Sequence, residues 1–357
     1  MHNLLTIILT LKGRHEFTLR WLRWANSQRC PFKILIADGS RDETAQTFLT
    51  AENTKHLDVE YFKYKYDETL RDFFSKTKDV LSRVQTKYTI HADNDDFLLF
   101  ARLLESVRER ERYGIETFYT RPQYTIDFDV SRKGKEVNID KILYPRKLFY
   151  LHRVAPNIEV RSNADPMVRL VFVMNVFPAA IFWYGIHSTS LLRSIHEFIF
   201  SSGIELAFFQ ELYLVYNTAI RNQIVYQDAP PYLVRQEFTS QGAKSLYGSE
   251  ALHRIFLNPT WSHDLHAFII KLHSDILSEG ILITLDEFED VFYENLRNFF
   301  LKWNRFSYLS LLAKESVVLR TTKRIFEKWS YARTHQHMNK FRHDQELVKL
   351  KDFLLPK

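Results

Sequence analysis

The sequence predicts an α/β fold, a parallel sheet followed by a mostly helical C-terminal extension. Three observations carry this. Short apolar runs alternate with helix-periodic segments over the first hundred residues. Two of those runs end directly in aspartate, at Asp38 and Asp93. After about residue 242 the strand-like runs stop and only helical spacing remains.

The elements follow in order. Thr6–Leu11 is an Ile- and Leu-rich run that reads as a buried strand. His15–Ser27 places Phe17, Leu19, Leu22 and Trp24 on a helical period. Lys33–Ala37 is a second short strand ending in Asp38-Gly39-Ser40. Asp42–Thr50 is a short helix candidate, and Val59–Tyr64 alternates as a strand. Leu70, Phe73, Phe74, Thr77, Val80, Leu81 and Val84 keep the 3–4 spacing of an amphipathic helix. Tyr88–Ala92 is the fourth strand, and Phe97–Glu111 reads as a helix. Phe177–Ile186 resumes a strand, Ile204–Ile220 is helical, and Gln223–Tyr226 and Tyr232–Val234 are short strands around Pro230-Pro231. Thr284-Leu-Asp-Glu287 has the form of a capping box opening another helix. These patterns divide the chain into residues 1–242 and 243–357.

Composition narrows the function. The 357 residues are 45% hydrophobic and 26% charged, enough to bury a core and too apolar for a disordered chain. The single cysteine, Cys30, excludes an internal disulfide framework and a cysteine zinc site, and it fits a reducing compartment. The opening MHNLLTIILTLKGR lacks a basic leader and cleavage site and reads as a strand, so a cytoplasmic protein is expected. The apolar stretch Leu170–Ile186 is broken by Asn175 and Pro178 and is short for a membrane span. None of the nine glycines forms a GxG pair or a GxxxxGK[ST] loop, which removes the dinucleotide fingerprint and the P-loop. A nucleotide here needs another phosphate holder, and a metal held by carboxylates is one. Val318–Lys357 carries ten Lys/Arg against four Asp/Glu, a basic tail suited to an anionic membrane surface or a solvated helix face.

Asp93, Asn94, Asp95 and Asp96 are the densest acidic cluster of the first domain. Counted as a calcium loop from Asp93, the fifth, sixth and twelfth positions are Phe97, Leu98 and Leu104, so the EF-hand pattern fails. Hard oxygens at this spacing suit Mg²⁺ or Mn²⁺, and a capped turn is the plainer alternative. In a parallel sheet, ligands bind beyond the carboxyl ends of the strands, which is where Asp38 and Asp93 both fall.

On the stretches Ile7–Arg14, Ile34–Glu43 and His91–Phe97, the chain resembles the GT-A glycosyltransferases, most closely the family 2 type. The resemblance implies a Rossmann-like nucleotide-sugar-binding domain over 1–242. It also implies that Asp38 contacts the nucleotide base, Asp93 lies near the ribose and metal, and Asp95 is the metal ligand. Thr10, Arg14 and Lys78 fall among its nucleotide-sugar contacts, Lys78 standing where many members carry Asn. Arg235, in Leu-Val-Arg-Gln-Glu, is a further candidate for phosphate. Tyr184–Ser190 is similar to the segment on the acceptor side, with His187 in it. Glu211 is the best match to the catalytic base and Glu205 its rival. The implied activity is a Mn²⁺- or Mg²⁺-dependent, inverting transfer from a nucleotide-sugar to a hydroxyl of a glycan or lipid-linked acceptor. Its partners would include an anionic membrane through 318–357, at the inner face, and a second copy of the chain; no nucleic acid is expected. A nucleotidyltransferase on a related fold and a non-catalytic nucleotide-sugar-binding scaffold are the alternatives. His263, His266 and His273 share a helix face and form a weaker metal candidate.

Overall fold

The computed structural model describes residues 4–114, 117–121, 123–127, 149–151, 165–176, 182–227, 229–237, 260–298 and 345–354. The fold is α/β with a parallel-dominated central sheet. Strands β1 (Leu5–Leu11), β2 (Lys33–Asp38), β3 (Asp58–Lys63) and β4 (Tyr88–Asp93) are all parallel, in the order β3-β2-β1-β4. Helices α1 (His15–Ser27), α2 (Thr44–Thr47), α3 (Ala51–Thr54) and α4 (Leu70–Ser82) fill the crossovers. Period-2 alternation sends Ile7, Leu9, Ile34, Ile36, Ile90 and Ala92 into one core cluster, which holds Trp21 and Trp24 of α1. Ile8, Leu35 and Ala37 enter the opposite cluster, with Phe74, Val80 and Leu81 of α4. A sheet buried on both faces explains why its strands read as continuous apolar runs.

Beyond β4 the sheet turns mixed. β5 (Phe97–Leu98) precedes α5 (Phe100–Arg110), and β6 (Thr117–Thr120), β7 (Gln123–Asp127) and β8 (Phe149–Leu151) follow. Phe97 and Leu98 therefore leave the helix expected from residue 97: they pair antiparallel with Val234 and Leu233. After α6 (Pro166–Val176), β9 (His187–Ser188) pairs antiparallel with the start of β4. Next come α7 (Thr189–Ser201), α8 (Ala207–Arg221), β10 (Gln223–Tyr226) and β11 (Leu233–Glu237). β10 runs parallel to β6, and Tyr119 of β6 makes an antiparallel bridge to Ile186 beside β9. Two reversals mean that β6 and β10 run in the direction of β4. α7 runs back along α4, with Arg193 at Leu81, Glu197 at Lys78 and Phe200 at Arg71, so it ends, and α8 begins, toward the edge where β1, β2 and β4 finish.

The strand expected over Phe177–Ile186 is corrected in its described part: Phe182 and Trp183 are helical, Tyr184 and Gly185 turn, and only the residues from Ile186 onward pair. The preceding apolar run is the helix α6, packed on α8. A continuous apolar run does not by itself separate a buried helix from a buried strand. No helix among the described residues is long and apolar enough to cross a membrane.

Helices α9 (Trp261–Ser278), α10 (285–298) and α11 (Gln345–Leu354) make up the described C-terminal part. The capping box opens α10 as expected: Thr284 N donates to Glu287 Oε2 at 2.9 Å, and Glu287 N donates to Thr284 Oγ1 at 3.3 Å. α9 packs on α8 through Phe268, Leu272 and Ile276. Two buried α9 carboxylates reach across that contact. Asp264 Oδ2 accepts the backbone N–H groups of Glu205 (3.0 Å) and Leu206 (2.8 Å), closing the N-terminus of α8 from a neighbouring helix. Asp275 accepts from Tyr213 Oη (2.8 Å), Asn217 Nδ2 (2.7 Å) and Arg221 (3.0 Å), and it pairs with Lys271. α11 docks elsewhere: Leu347, Leu350 and Leu354 join the core cluster of α1, and the Phe353 ring lies 5.3 Å from that of Trp24. The boundary placed near residue 242, the charged stretch 131–136 and most of the basic tail lie outside the described residues.

Candidate active site

The β-ladders settle which residues share an edge. Leu11 of β1 stands beside Asp38 of β2, and Thr10 stands beside Asp93 of β4. Asp38 and Asp93 therefore flank the last two residues of β1, and Thr10 lies half-buried between them.

The loop after β1 is fixed at every residue. Lys76 Nζ and Gly39 N both donate to Leu11 O, at 2.9 and 3.0 Å. The Lys12 ammonium sits 5.3 Å above the Tyr66 ring. Gly13 N donates to Ser40 Oγ at 2.7 Å. Gly13 has φ 68° and Arg14 has φ 61°; left-handed backbone is ordinary for glycine and uncommon for arginine. This backbone starts α1 and turns the Arg14 side chain toward the acidic cluster. Asn94 Nδ2 donates to Arg14 O at 3.2 Å and to Thr18 Oγ1 at 2.9 Å, so Asn94 ties the two loops together.

The cluster itself has three carboxylates. One oxygen from each of Asp93, Asp95 and Asp96 lies within 4.8 Å of the others, and this is the one such acidic or histidine group among the described residues. Arg14 donates to Asp95 Oδ2 at 2.8 Å. Arg20, buried and stacked on Phe97 at 4.6 Å, donates to the Asp95 carbonyl at 3.3 Å. Tyr184 Oη donates to Asp93 Oδ2 at 2.6 Å. Arg235 Nε stands 3.8 Å from Asp96 Oδ2, and the guanidinium lies 5.3 Å from the centre of the Tyr184 ring. Burial, then the adjacent Asp95 charge, pushes the Asp93 carboxyl up to about 6, against the pull of the Tyr184 hydrogen bond. Hard oxygens crowded to this degree form a donor set suited to a divalent cation of the Mg²⁺ or Mn²⁺ type.

Asp38 occupies the end of β2, across β1 from the cluster, fully buried. One oxygen accepts from Ser40 N at 2.8 Å, the other from Tyr61 Oη at 2.7 Å, and Lys63 Nζ stands 3.7 Å away. Under it, Gly39 is pressed against Asp67, where a Cβ would collide with the carboxylate. Asp67 is ion-paired to Lys76, both fully buried. Burial raises Asp67 and lowers Lys76.

Several expected residues converge here and others do not. Arg14, Asp93, Asp95 and Arg235 meet at the cluster, with Thr10 and Asp38 alongside. Lys78 points away: it pairs with Glu197 at 2.8 Å on a partly exposed face. The α4 lysine that reaches the strand ends is Lys76, two residues earlier. His187 is not on the acceptor side of this edge. It pairs with Thr89, four residues before Asp93, which is about 13 Å along the strand. Its ring is buried, with Nε2 2.6 Å from Phe182 O, and burial lowers its pKa to about 4. Glu205 is exposed just before α8, and Glu211 is half-buried in its second turn. His263 contacts Asp264 at 3.3 Å, and His273 Nε2 lies 2.9 Å from Ile283 O, so these rings do not converge on a metal.

Sequence reasoning missed Tyr184, Arg20 and Lys76 as parts of the site. Lys76 did leave a signal, a cation at the border of the apolar stripe of α4. Beneath the cluster, on the same face of β4 as Asp93, His91 stacks on Trp183 at 4.3 Å, with His196 at 5.4 Å. Burial holds both histidines neutral, with His196 lowered to about 3.

No family model matches the sequence, and no curated protein does. Solved structures with a remote likeness include S. aureus TarS, at 12% identity over 83% of this chain and 43% of that chain, TM-score 0.46. TarS 1-349 in complex with UDP-GlcNAc gives 12% identity over 83% and 72%, TM-score 0.45. A 4-diphosphocytidyl-2C-methyl-D-erythritol synthase from Anaerococcus prevotii gives 10% identity over 64% and 90%, TM-score 0.36. The chain spans less than half the length of the first of these.

Proposed function

We propose that this chain is a GT-A-type glycosyltransferase that moves a sugar from a nucleoside diphosphate to a hydroxyl acceptor, a glycan or a lipid-linked sugar. The observation that carries the reading is the three-carboxylate cluster at the end of β4, set one strand from Asp38 on a parallel-sheet edge. Asp93 and Asp95 would hold a divalent cation there, which would offset the diphosphate charge at the leaving group. The donor set fits Mn²⁺ or Mg²⁺, with Asp95 and Asp93 as the first ligands.

The chain's own residues do the rest. Asp38 shapes the base end of the site through Ser40 and Tyr61. Thr10 lines the floor between the two strand ends, and Arg14 and Arg235 present planar donors to phosphate. Glu211, with Glu205 as rival, is assigned the removal of the acceptor hydroxyl proton. The acceptor oxygen then forms its bond to the anomeric carbon. The bond from that carbon to the phosphate oxygen breaks, and the nucleoside diphosphate leaves with the electron pair. A single displacement of this kind inverts the anomeric centre. The 318–357 segment, rich in Lys and Arg, is proposed to hold the enzyme against an anionic membrane that carries the acceptor.

A thermal-shift panel of nucleoside diphosphates and their sugars, UDP-GlcNAc among them, with and without Mn²⁺, tests the reading. The cognate donor raises the melting temperature with Mn²⁺ present and does so less in EDTA. No shift with any nucleotide in either condition refutes it.

A further inference from the structure

The cluster has a cation of its own. Arg14 Nη2 lies 2.8 Å from Asp95 Oδ2, with the Arg14 side chain about one-fifth exposed and that of Asp95 about one-tenth. The contact is built and not incidental. A left-handed residue other than glycine aims the side chain. Asn94, between Asp93 and Asp95, holds the Arg14 carbonyl. Phe17, on the first turn of α1, supports the guanidinium at 4.5 Å. The other nearby cations engage the cluster differently. Arg20 binds the Asp95 carbonyl, and Arg235 stands 3.8 Å from Asp96.

We propose that Arg14 is the resident counter-ion of Asp95, and that a divalent cation reaches this carboxylate only by displacing it. The inference rests on the metal-site reading above. The Asp95 carboxylate cannot give its charge fully to a guanidinium and to a metal ion at once, so the two compete for one negative charge. Apparent metal affinity is then the intrinsic affinity scaled by the fraction of chains in which Asp95 is released. Arg14 keeps the empty site closed to free cations and, once displaced, is left beside the place where the donor diphosphate binds. It thereby couples cation binding to the arrival of the anion.

The test is Mn²⁺ binding to the full chain without nucleotide, followed by electron paramagnetic resonance. The proteins are wild type, Arg14→Gly, Arg14→Lys, Lys12→Gln and Asp95→Asn. Glycine suits the φ of residue 14, so the loop conformation survives the substitution. Lys12→Gln removes an equal charge two residues away, on an exposed side chain. The expected result is Mn²⁺ bound about tenfold tighter by Arg14→Gly, an intermediate value for Arg14→Lys, and less than about a twofold change for Lys12→Gln. Asp95→Asn should lose the site. Equal tightening by Arg14→Gly and Lys12→Gln, or no tightening by Arg14→Gly, overturns the displacement alone. Absence of Mn²⁺ binding by every protein overturns the metal reading and the displacement with it.

Discussion

Two acidic sites in this molecule solve opposite problems. At the α8–α9 contact, the buried Asp275 is surrounded by donors: Tyr213, Asn217, Arg221 and Lys271 all address one carboxylate. At the end of β4, three carboxylates crowd within 4.8 Å of one another, with Arg14 on Asp95 and Arg235 3.8 Å from Asp96. A carboxylate saturated by donors has no capacity left for a ligand, and its work is to hold two helices together. Carboxylates that crowd each other raise their own free energy, and the fold bears this where a bound charge relieves it. Satisfaction, and not acidity, separates the structural aspartate from those proposed to take a ligand.

Substitutions can break this comparison at either end. Asp95→Ala should give the largest effect, a loss of about a hundredfold to a thousandfold in turnover, since it removes the proposed main ligand of the metal at the leaving group. Its melting temperature should stay nearly level, because the loss of the Arg14 pair is offset by relief of the repulsion between Asp95 and Asp93. A steady-state assay alongside a thermal melt separates the two readouts, and retention of full turnover in EDTA would remove the functional half of the contrast. Asp275→Ala should show the reverse. It orphans two buried donors and two partly exposed cations, for a loss of about 3 kcal/mol in urea unfolding, while Mn²⁺ binding by the folded chain is unchanged.

A smaller effect has the opposite sign. With its pKa raised to about 6, ionised Asp93 costs the folded state stability, a cost absent below the unfolded carboxylate pKa and complete above about 6. Asp93→Asn should therefore raise stability at pH 7.5, by about 1 kcal/mol once partial exposure is discounted. A destabilised variant would show that its carboxylate is satisfied like Asp275. The buried histidines titrate the other way. Their folded pKa values lie below that of the free side chain, so their contribution is intact above about 6.5 and is lost as pH falls toward 4 and then 3. His196→Leu should flatten the fall of the urea midpoint between pH 6 and 4, and an unchanged slope would move the acid sensitivity elsewhere.

The strand ends were legible because two kinds of pattern coincided there. Continuous apolar runs located β1, β2 and β4, and aspartate at the end of two of them located the edge. The ladder then placed Asp38 and Asp93 on either side of β1. Residues whose roles depend on distant partners were not legible. Lys76 and Lys78 differ by two positions on one helix, about 200° of rotation, so one enters the site and the other pairs with Glu197. His187 lies in a segment that looks like an acceptor wall, but the antiparallel register of β9 carries it to the far end of β4. The 166–176 helix was hidden by uniform apolarity, which erases the period that separates helix from strand.

Helix α11 gives the molecule a long-range dependence in time. Leu347, Leu350 and Leu354 complete a core whose other walls come from β1, β2 and α1, made more than three hundred residues earlier. A ribosome releases those first elements long before it reaches the residues that cover Trp24. Until then the growing chain carries an open apolar face, the kind of surface chaperones bind and neighbouring chains adhere to. Expression yield should thus fall sharply for any version of the protein that stops short of residue 345, even though every candidate catalytic residue lies before residue 236.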